Sequence, residues 1–295
     1  MNDHDYRHSL TNHVPQRYNK HADFVYSSKF TGPVLDLLGA KAGERIIDLG
    51  CGTGELTENI KDLVGDDGEV WAVDSSESML EAARSRESCK GVTFFQGDIQ
   101  ALEQSMDPTL KGTFDAVFSS ATFHWCKQNP GGVIDAVKWL LKPGGRLAFE
   151  MGGFGNCVGV RSAIHEVLRR KGVDPIPLDP WYFPNVSQYT TLISGHGLRP
   201  ELIELVPRPT PLPTDMFGWL QTFVRGSWFA TFDDEEAEKL MKEVEVICRP
   251  DAYWSLETPG MGIKPTEEDS ATKRTSSSLQ GWEVMYVRLR GVAYG

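Results

Sequence analysis

From residue 45 onward, short apolar runs alternate with segments of helical spacing. Arg45–Leu49 reads as a buried strand, and Glu55–Val64, with Leu56, Ile60, Leu63 and Val64 on one face, reads as a helix. Glu69–Asp74 is a second strand. Ser76–Arg84 is a second helix, with Ser75 or Ser76 as N-cap and Glu77 and Glu81 near its start. Val92–Gln96, Phe114–Ser119 and Arg146–Met151 complete a series of five strands, and Gly132–Leu141 is a helix ended by Lys142-Pro143-Gly144-Gly145. Strands separated by helices of this length imply right-handed crossovers and a mostly parallel, doubly wound α/β sheet.

On either side of this block the pattern weakens. Residues 1–30 are polar with scattered aromatics, followed by a short helix from about Pro33 to Leu38. After Met151 the spacing predicts a helix over Val158–Lys171 and strands over Glu201–Val206 and Trp282–Leu289. Between those strands lie a Pro-rich turn (Pro207, Pro209, Pro211, Pro213) and helices over Asp215–Arg225 and Asp233–Ile247. Residues 256–280, rich in Ser, Thr, Glu, Pro and Gly, read as a mobile loop. The expected organisation is an N-terminal arm or lid over 1–44, a ligand-binding core over 45–151, and a completion of the sheet with a helical cap over 152–295.

Composition narrows the function classes. Among 295 residues, Lys+Arg 30 against Asp+Glu 41 gives a net charge of -11. That balance weighs against a phosphate-tracking nucleic-acid binder and against an anionic membrane surface. Hydrophobic residues at 40% suffice for a sizeable core. No apolar run reaches ~18 residues, so no spanning helix is expected, and the polar start has no apolar signal core. The five cysteines (Cys51, Cys89, Cys126, Cys157, Cys248) form no C-x-x-C pair, which suits a reducing, cytoplasmic setting and argues against zinc. His4, His8, His13 and His21 have no metal-helix spacing, so no metal is expected.

The chemistry lies in Asp48-Leu49-Gly50-Cys51-Gly52-Thr53-Gly54, at the end of the first strand and the start of a helix. Gly50, Gly52 and Gly54 let the backbone turn tightly and approach a ligand. Their spacing is not the G-x-G-x-x-G of dinucleotide binders, and Asp48 would repel a pyrophosphate but attract a cation. Asp74 ends the second strand, where an acid can accept two ribose hydroxyls. Asp98 and Ile99 follow the third, placed for an exocyclic amine and a ring face. Three acids at successive strand ends beside one glycine turn line the crevice where open α/β sheets bind ligands, and suit a nucleoside with a positive centre.

With Ile46–Gly54, Val73-Asp74, Gln96-Gly97-Asp98, Phe114–Ser119 and Leu141–Leu147 in order, the chain resembles the class I S-adenosylmethionine-dependent methyltransferases. The resemblance covers roughly residues 44–151. It implies a seven-stranded Rossmann-like sheet whose sixth and antiparallel seventh strands are Glu201–Val206 and Trp282–Leu289, with S-adenosyl-L-methionine as cofactor. Carried over, Asp48, Gly50, Cys51, Gly52, Gly54, Asp74, Ser75, Met79, Asp98, Ile99 and Ser119 form the cofactor site. Ser119–Trp125 is similar to the segment after strand four in the trans-aconitate and malonyl-carrier-protein methyltransferase branches, although His124 stands where Gln is typical. Residues 172–200 align with nothing specific in those branches.

The expected activity is methyl transfer to a small organic acceptor, oxygen preferred, either carboxylate or hydroxyl. Neither nucleic acid nor membrane is an expected partner. His124 is the candidate base for a hydroxyl acceptor and Tyr18 a candidate catalytic residue from the arm. Trp125, Trp219 and Arg225 are candidate substrate contacts, with Arg249 as a second carboxylate-binding arginine. Each has a plainer alternative: a turn or cap acid for Asp74 and Asp98, packing against Trp125 for His124, a surface aromatic for Tyr18, and surface ions for Arg225 and Arg249. The aromatic set Trp181, Tyr182, Phe183, Phe217, Trp219, Phe223, Trp228 and Phe229 can wall a pocket or form the core of the cap. Cofactor binding without methyl transfer, methylation at N, C or S, a nicotinamide-dependent oxidoreductase and a partner-binding module stay open as alternatives.

Overall fold

The structure is a computed structural model, and it describes residues 28–255 and 280–295. Eight strands and eight α-helices follow in order: α1 (Ser28–Leu38), β1 (Arg45–Leu49), α2 (Glu55–Val64), β2 (Glu69–Asp74), α3 (Glu77–Arg84), β3 (Thr93–Gln96), β4 (Phe114–Ser120), α4 (Pro130–Leu140), β5 (Leu141–Gly152), α5 (Val158–Arg170), α6 (Val186–Gly195), β6 (Arg199–Pro211), α7 (Met216–Phe223), α8 (Asp234–Ala252), β7 (Tyr253–Ser255) and β8 (Gln280–Tyr294). The sheet runs β3-β2-β1-β4-β5-β8-β6, and the short β7 pairs with β8. Strands β1 to β5 are parallel, and β8 is antiparallel to both β5 and β6. This is the mostly parallel α/β sheet expected from the alternation.

The central strands are apolar on both faces because helices cover both. Ile46, Val70, Ala116, Phe118 and Ala148 face α1 and α2 through Val34, Leu38, Leu56 and Ile60. Ile47, Leu49, Val73, Val117, Leu147 and Phe149 face α4 and α6 through Val133, Ile134, Val137, Tyr189 and Ile193. The β6–β8 ribbon runs on beyond this core. Its far end presents Trp282, Val284 and Tyr286 to a second core made with α5, α7 and α8. The junction of the two cores, at the C-terminal ends of β4 and β5, is where the cap meets the sheet.

Several elements depart from the sequence reading. Pro207, Pro209 and Pro211 do not form a turn but lie within β6. They share one parity on an edge strand, while Leu212 N–H, of the other parity, bonds the Trp282 carbonyl of β8. The missing N–H groups therefore face away from the ladder, where proline costs no bond. Helix α1 starts at Ser28, ahead of Pro33, which sits inside it. Strand β5 begins at Leu141, so Lys142–Gly145 belongs to the strand as well as ending α4. Helix α6 was not foreseen, although Asn185 and Gln188 form a reciprocal capping box at its start. Residues 1–27 and 256–279, which hold the expected arm with Tyr18 and most of the expected loop, lie outside the described residues.

Helix α1 is tied to the sheet by Arg146 of β5. Its guanidinium pairs with Glu44 (2.7 and 2.9 Å), and donates to the Gly39 carbonyl (3.1 Å) and to the Leu38 carbonyl. The pairing holds the Glu44 carboxyl below its ordinary range despite partial burial. Arg146→Ala should therefore cost about 2–3 kcal/mol of unfolding free energy in denaturant titration, the loss expected for charge-assisted bonds in a site mostly shielded from water. An unchanged midpoint would show that α1 is held by its apolar face alone.

Candidate active site

Gly50 leaves β1 at φ +83°, and the amides of Gly50 and Cys51 both bond the Val73 carbonyl of β2 (2.7 and 3.0 Å). The turn is pinned from the other side by Asp74. One carboxylate oxygen accepts the Gly52 N–H (2.9 Å) and the other the Ser76 N–H (2.9 Å) at the start of α3. A Cβ on Gly50 would come within 2.1 Å of the Thr122 side chain, whose hydroxyl donates to the Gly50 carbonyl (3.0 Å). The turn is thus a cradle closed by backbone, with space only where no side chain stands.

A cavity of about 330 Å³ opens beside it, within the range of small-molecule sites. Gly50, Asp74, Ser75, Asp98, Ile99 and Trp125 line it, together with Gln96, Gln100, Thr122 and Cys126. Asp98 is braced by Gln100, whose backbone N–H (2.9 Å) and side-chain amide (3.2 Å) both donate to one carboxylate oxygen. Asp48 lies beneath the turn, outside this lining, and accepts the Thr57 hydroxyl (2.7 Å). Burial pushes its carboxyl up to about 7, with the Asp74 charge adding to the effect, and burial also raises Asp74. Neither acid has an ion-pair partner among the described residues, which fits a ligand with a cationic centre.

Cys51 and Met79 are buried behind the turn and outside the cavity lining. Ser119 is buried too, its hydroxyl donating to the Leu49 carbonyl (2.7 Å) and so tying β4 to β1. Gly52 meets the site through its N–H to Asp74, while Gly54 ends the turn in the left-handed region at the N-cap of α2. Of the predicted cofactor residues, the structure brings Gly50, Asp74, Ser75, Asp98 and Ile99 onto one cavity wall and sets the others behind it.

A second, smaller space of about 40 Å³ shares Trp125 with the first. Its walls are His124, Trp125, Trp181, Phe183, Trp219 and Phe223, with Tyr286 and Arg288 from β8 and with Ala121, Asn156 and Cys157. The aromatic set is both core and wall: Trp181 and Trp219 belong to the cap core and also face this space. Trp219 donates its indole N–H to the Tyr286 hydroxyl (2.6 Å). Ala121 (φ 56°) and Cys157 (φ 52°) are the non-glycine residues at positive φ among the described residues, and both line this pocket. Backbone strain of this kind costs ~1–3 kcal/mol and gathers at functional sites.

His124 is buried, and its Nδ1 accepts the Gly152 N–H (3.2 Å). Burial, helped by the charge of Arg288, drives the imidazole well below its ordinary range, so the ring is neutral. With Nδ1 used as an acceptor, the proton sits on Nε2. The ring is therefore a donor toward the pocket, without the free lone pair that a base requires. Arg225 is not brought here. Its guanidinium donates to the Phe229 (2.8 Å) and Phe232 (3.3 Å) carbonyls and pairs with Asp234 at the start of α8. Arg249 stacks over Tyr253, its guanidinium 3.6 Å from the ring centre. The plainer reading of both arginines, as structural ions, is the one their contacts fit.

Thr122, Gln100 and Arg288 were missed in the sequence. Thr122 and Gln100 sit one or two positions from residues that were singled out. Arg288 had a signal of its own: it continues the inward series Trp282, Val284, Tyr286 along β8, a charge on an otherwise apolar face.

Comparison with known proteins places this geometry. A family model described as a methyltransferase domain matches residues 40–157. An uncharacterized methyltransferase of Schizosaccharomyces pombe is 31% identical over 249 residues, covering 81% of this chain and 92% of its own. The chain belongs to the class I S-adenosylmethionine-dependent methyltransferases. A trans-aconitate 2-methyltransferase of Rhizobium leguminosarum bv. trifolii is 36% identical to this methyltransferase over 129 residues, 43% of this chain and 46% of the relative. The YcgJ protein of Bacillus subtilis shares its fold, with a TM-score of 0.54 at 15% identity over 89% of this chain and 96% of the other. The methyltransferase uses S-adenosyl-L-methionine, and the residues present fit that group: a cradle a Cβ would fill and buried acids without a cation. Among the described residues, no helix is long and apolar enough to cross a membrane.

The raised Asp48 has a consequence for stability. Unfolded, an aspartate ionises near ~3.9; folded, Asp48 does so near about 7. Between those values the folded methyltransferase keeps a proton that the unfolded chain has lost, so stability falls as pH rises through the window. Asp48→Asn keeps an acceptor for Thr57 and removes this penalty. It should raise the unfolding free energy at about pH 8 by up to ~4 kcal/mol, with the gain shrinking toward about pH 5. Parallel pH profiles for the two proteins in denaturant titration would contradict this.

Proposed function

We propose that this methyltransferase acts on an oxygen of a small organic acceptor held in the aromatic pocket beside His124. The observation that carries the reading is the pair of adjoining cavities: one lined by strand-end acids, the other by rings, with Trp125 as their common wall. In this reading Asp74 accepts the ribose hydroxyls, Asp98 meets the adenine amine and Ile99 lies against its ring. The Gly50–Gly54 turn receives the methionine part, with the buried carboxyl of Asp48 below it. Bound S-adenosylmethionine supplies an electrophilic methyl group on a sulfonium.

The chain's own contribution is orientation and exclusion of water. Trp125, Trp181 and Trp219 present apolar surface that leaves little room for solvent. Holding the acceptor oxygen in line with the methyl group can lower the barrier by ~7–11 kcal/mol without any proton transfer. His124 donates from Nε2 to the acceptor and fixes its orientation, its own ring held by the Gly152 amide. Five free cysteines, all buried, support residence in a reducing compartment such as the cytoplasm.

The test is release of S-adenosylhomocysteine on incubation with S-adenosylmethionine and a panel of small carboxylic acids, phenols, amines and thiols. Oxygen acids should turn over; turnover confined to amines or thiols would overturn the oxygen reading. His124→Phe should lower turnover about tenfold, the loss of one buried donor, and leave S-adenosylhomocysteine affinity unchanged. An acid limb below the ordinary imidazole range that vanishes in this variant would instead make His124 a base. Asp74→Ala should weaken S-adenosylhomocysteine binding about 30-fold or more in calorimetry, two charge-assisted contacts being lost along with the brace of the turn.

A further inference from the structure

Arg288 is 5% exposed, and its Nε makes no hydrogen bond. Its nearest carboxylate oxygen, on Glu150, is 3.9 Å from that nitrogen, beyond hydrogen-bonding reach. Glu150 is itself buried and already serves Arg208, whose guanidinium lies 3.2 Å from the same oxygen and stacks on Phe30 at 4.4 Å. Two buried guanidiniums thus share one carboxylate. Burial, and after it the neighbouring Arg288 charge, bring Arg208 down to about 10. Beyond that shared oxygen, the Arg288 guanidinium has the Tyr286 ring, 4.6 Å away, to offset its burial, and a buried charge so weakly paired favours a counter-ion.

The excess charge faces the aromatic pocket. Arg288 pairs in register with Gly152 across β5 and β8, and the Gly152 N–H is the group that holds the His124 ring. His124 and Arg288 both line this space, and the Arg288 Nε has no hydrogen-bond acceptor among the described residues. Among the described residues no carboxylate lines the pocket, and the His124 Nδ1 lone pair is taken by the Gly152 N–H.

We infer that the acceptor is an oxygen acid that enters the pocket already ionised, and that Arg288 is the anchor that selects the anion. This inference rests on the oxygen-acceptor reading given above and goes further by naming the charge state and the residue that reads it. An ionised acceptor needs no base: its oxygen lone pair forms the new O–CH3 bond as the C–S bonding pair returns to sulfur. Anion and sulfonium become two neutral products, and no proton moves. The space, about 40 Å³, has room for the carboxylate group itself, and the flat Trp125 wall it shares with the larger cavity favours a planar body on the acid, such as an aromatic or conjugated carboxylate.

The test reads binding directly. Trp125, Trp181 and Trp219 line the pocket, so an occupant changes tryptophan fluorescence. Benzoate and crotonate are titrated into protein saturated with S-adenosylhomocysteine, against benzamide and crotonamide as neutral isosteres. The anions should give a saturable change at concentrations roughly 30-fold below the amides, and Arg288→Gln should abolish that preference. Arg288→Lys, which keeps the charge but not the fork, should retain part of it. Equal binding of acids and amides to the unaltered protein, or no binding of either anion, overturns the inference whether or not the variants fold. An undiminished anion preference in folded Arg288→Gln overturns the role of Arg288. Failure of S-adenosylhomocysteine to bind in the same cell would be a failure of the cofactor site instead, and the two are read separately.

Discussion

The carboxylate of Asp74 holds the ends of two strands in one geometry. Its two oxygens take the Gly52 and Ser76 amides, so the turn after β1 and the helix start after β2 cannot move independently. Everything else in the cofactor cavity is measured from that point: the Gly50 carbonyl takes the Thr122 hydroxyl, Thr122 follows β4, and β4 carries the chain on to His124. Few side chains are needed, because backbone amides supply the rigid frame and glycine supplies the space. Asp74 remains costly to bury, and the sheet core beneath it offsets that cost.

The site as a whole is an arrangement of charges kept out of water. Asp48 and Asp74, with no ion-pair partner among the described residues, lie beneath and beside the cofactor cavity, and Arg288, whose one carboxylate is shared with Arg208, lines the aromatic pocket. The two are separated by the shared wall of Trp125. Buried charge of this kind is costly, and in the proposed function a cationic and an anionic ligand together relieve it. The left-handed backbone at Ala121 and Cys157 belongs to the same economy: local strain at the junction, supported by the two cores on either side.

How far the sequence carries depends on how local the determinant is. Strands β1 to β5 and their helices were legible because burial on alternate faces is written in short-range spacing, and the glycine turn because its residue types have few other uses. The prolines of β6 misled because their parity acquires meaning only once β6 is known to be the edge. The capping box of α6 was present in Asn185 and Gln188 but lay in a stretch with no family pattern to support it. Arg225 looked like a substrate ligand and is a loop clamp, because which carbonyls it meets is decided by the fold of the cap. Arg288 showed in the spacing only as a charge on the inward face of β8; that it shares one carboxylate with Arg208 is a property of tertiary structure.

The central claim is that the glycine turn, Asp74 and Asp98 together form the berth for the nucleoside of S-adenosylmethionine. A crystal structure with S-adenosylhomocysteine bound tests it most directly. The account predicts the ribose hydroxyls on Asp74, the adenine between Asp98 and Ile99, and the sulfur turned toward Trp125 and His124. A nucleoside seated elsewhere, or an Asp74 carboxylate facing away from it, would contradict the account.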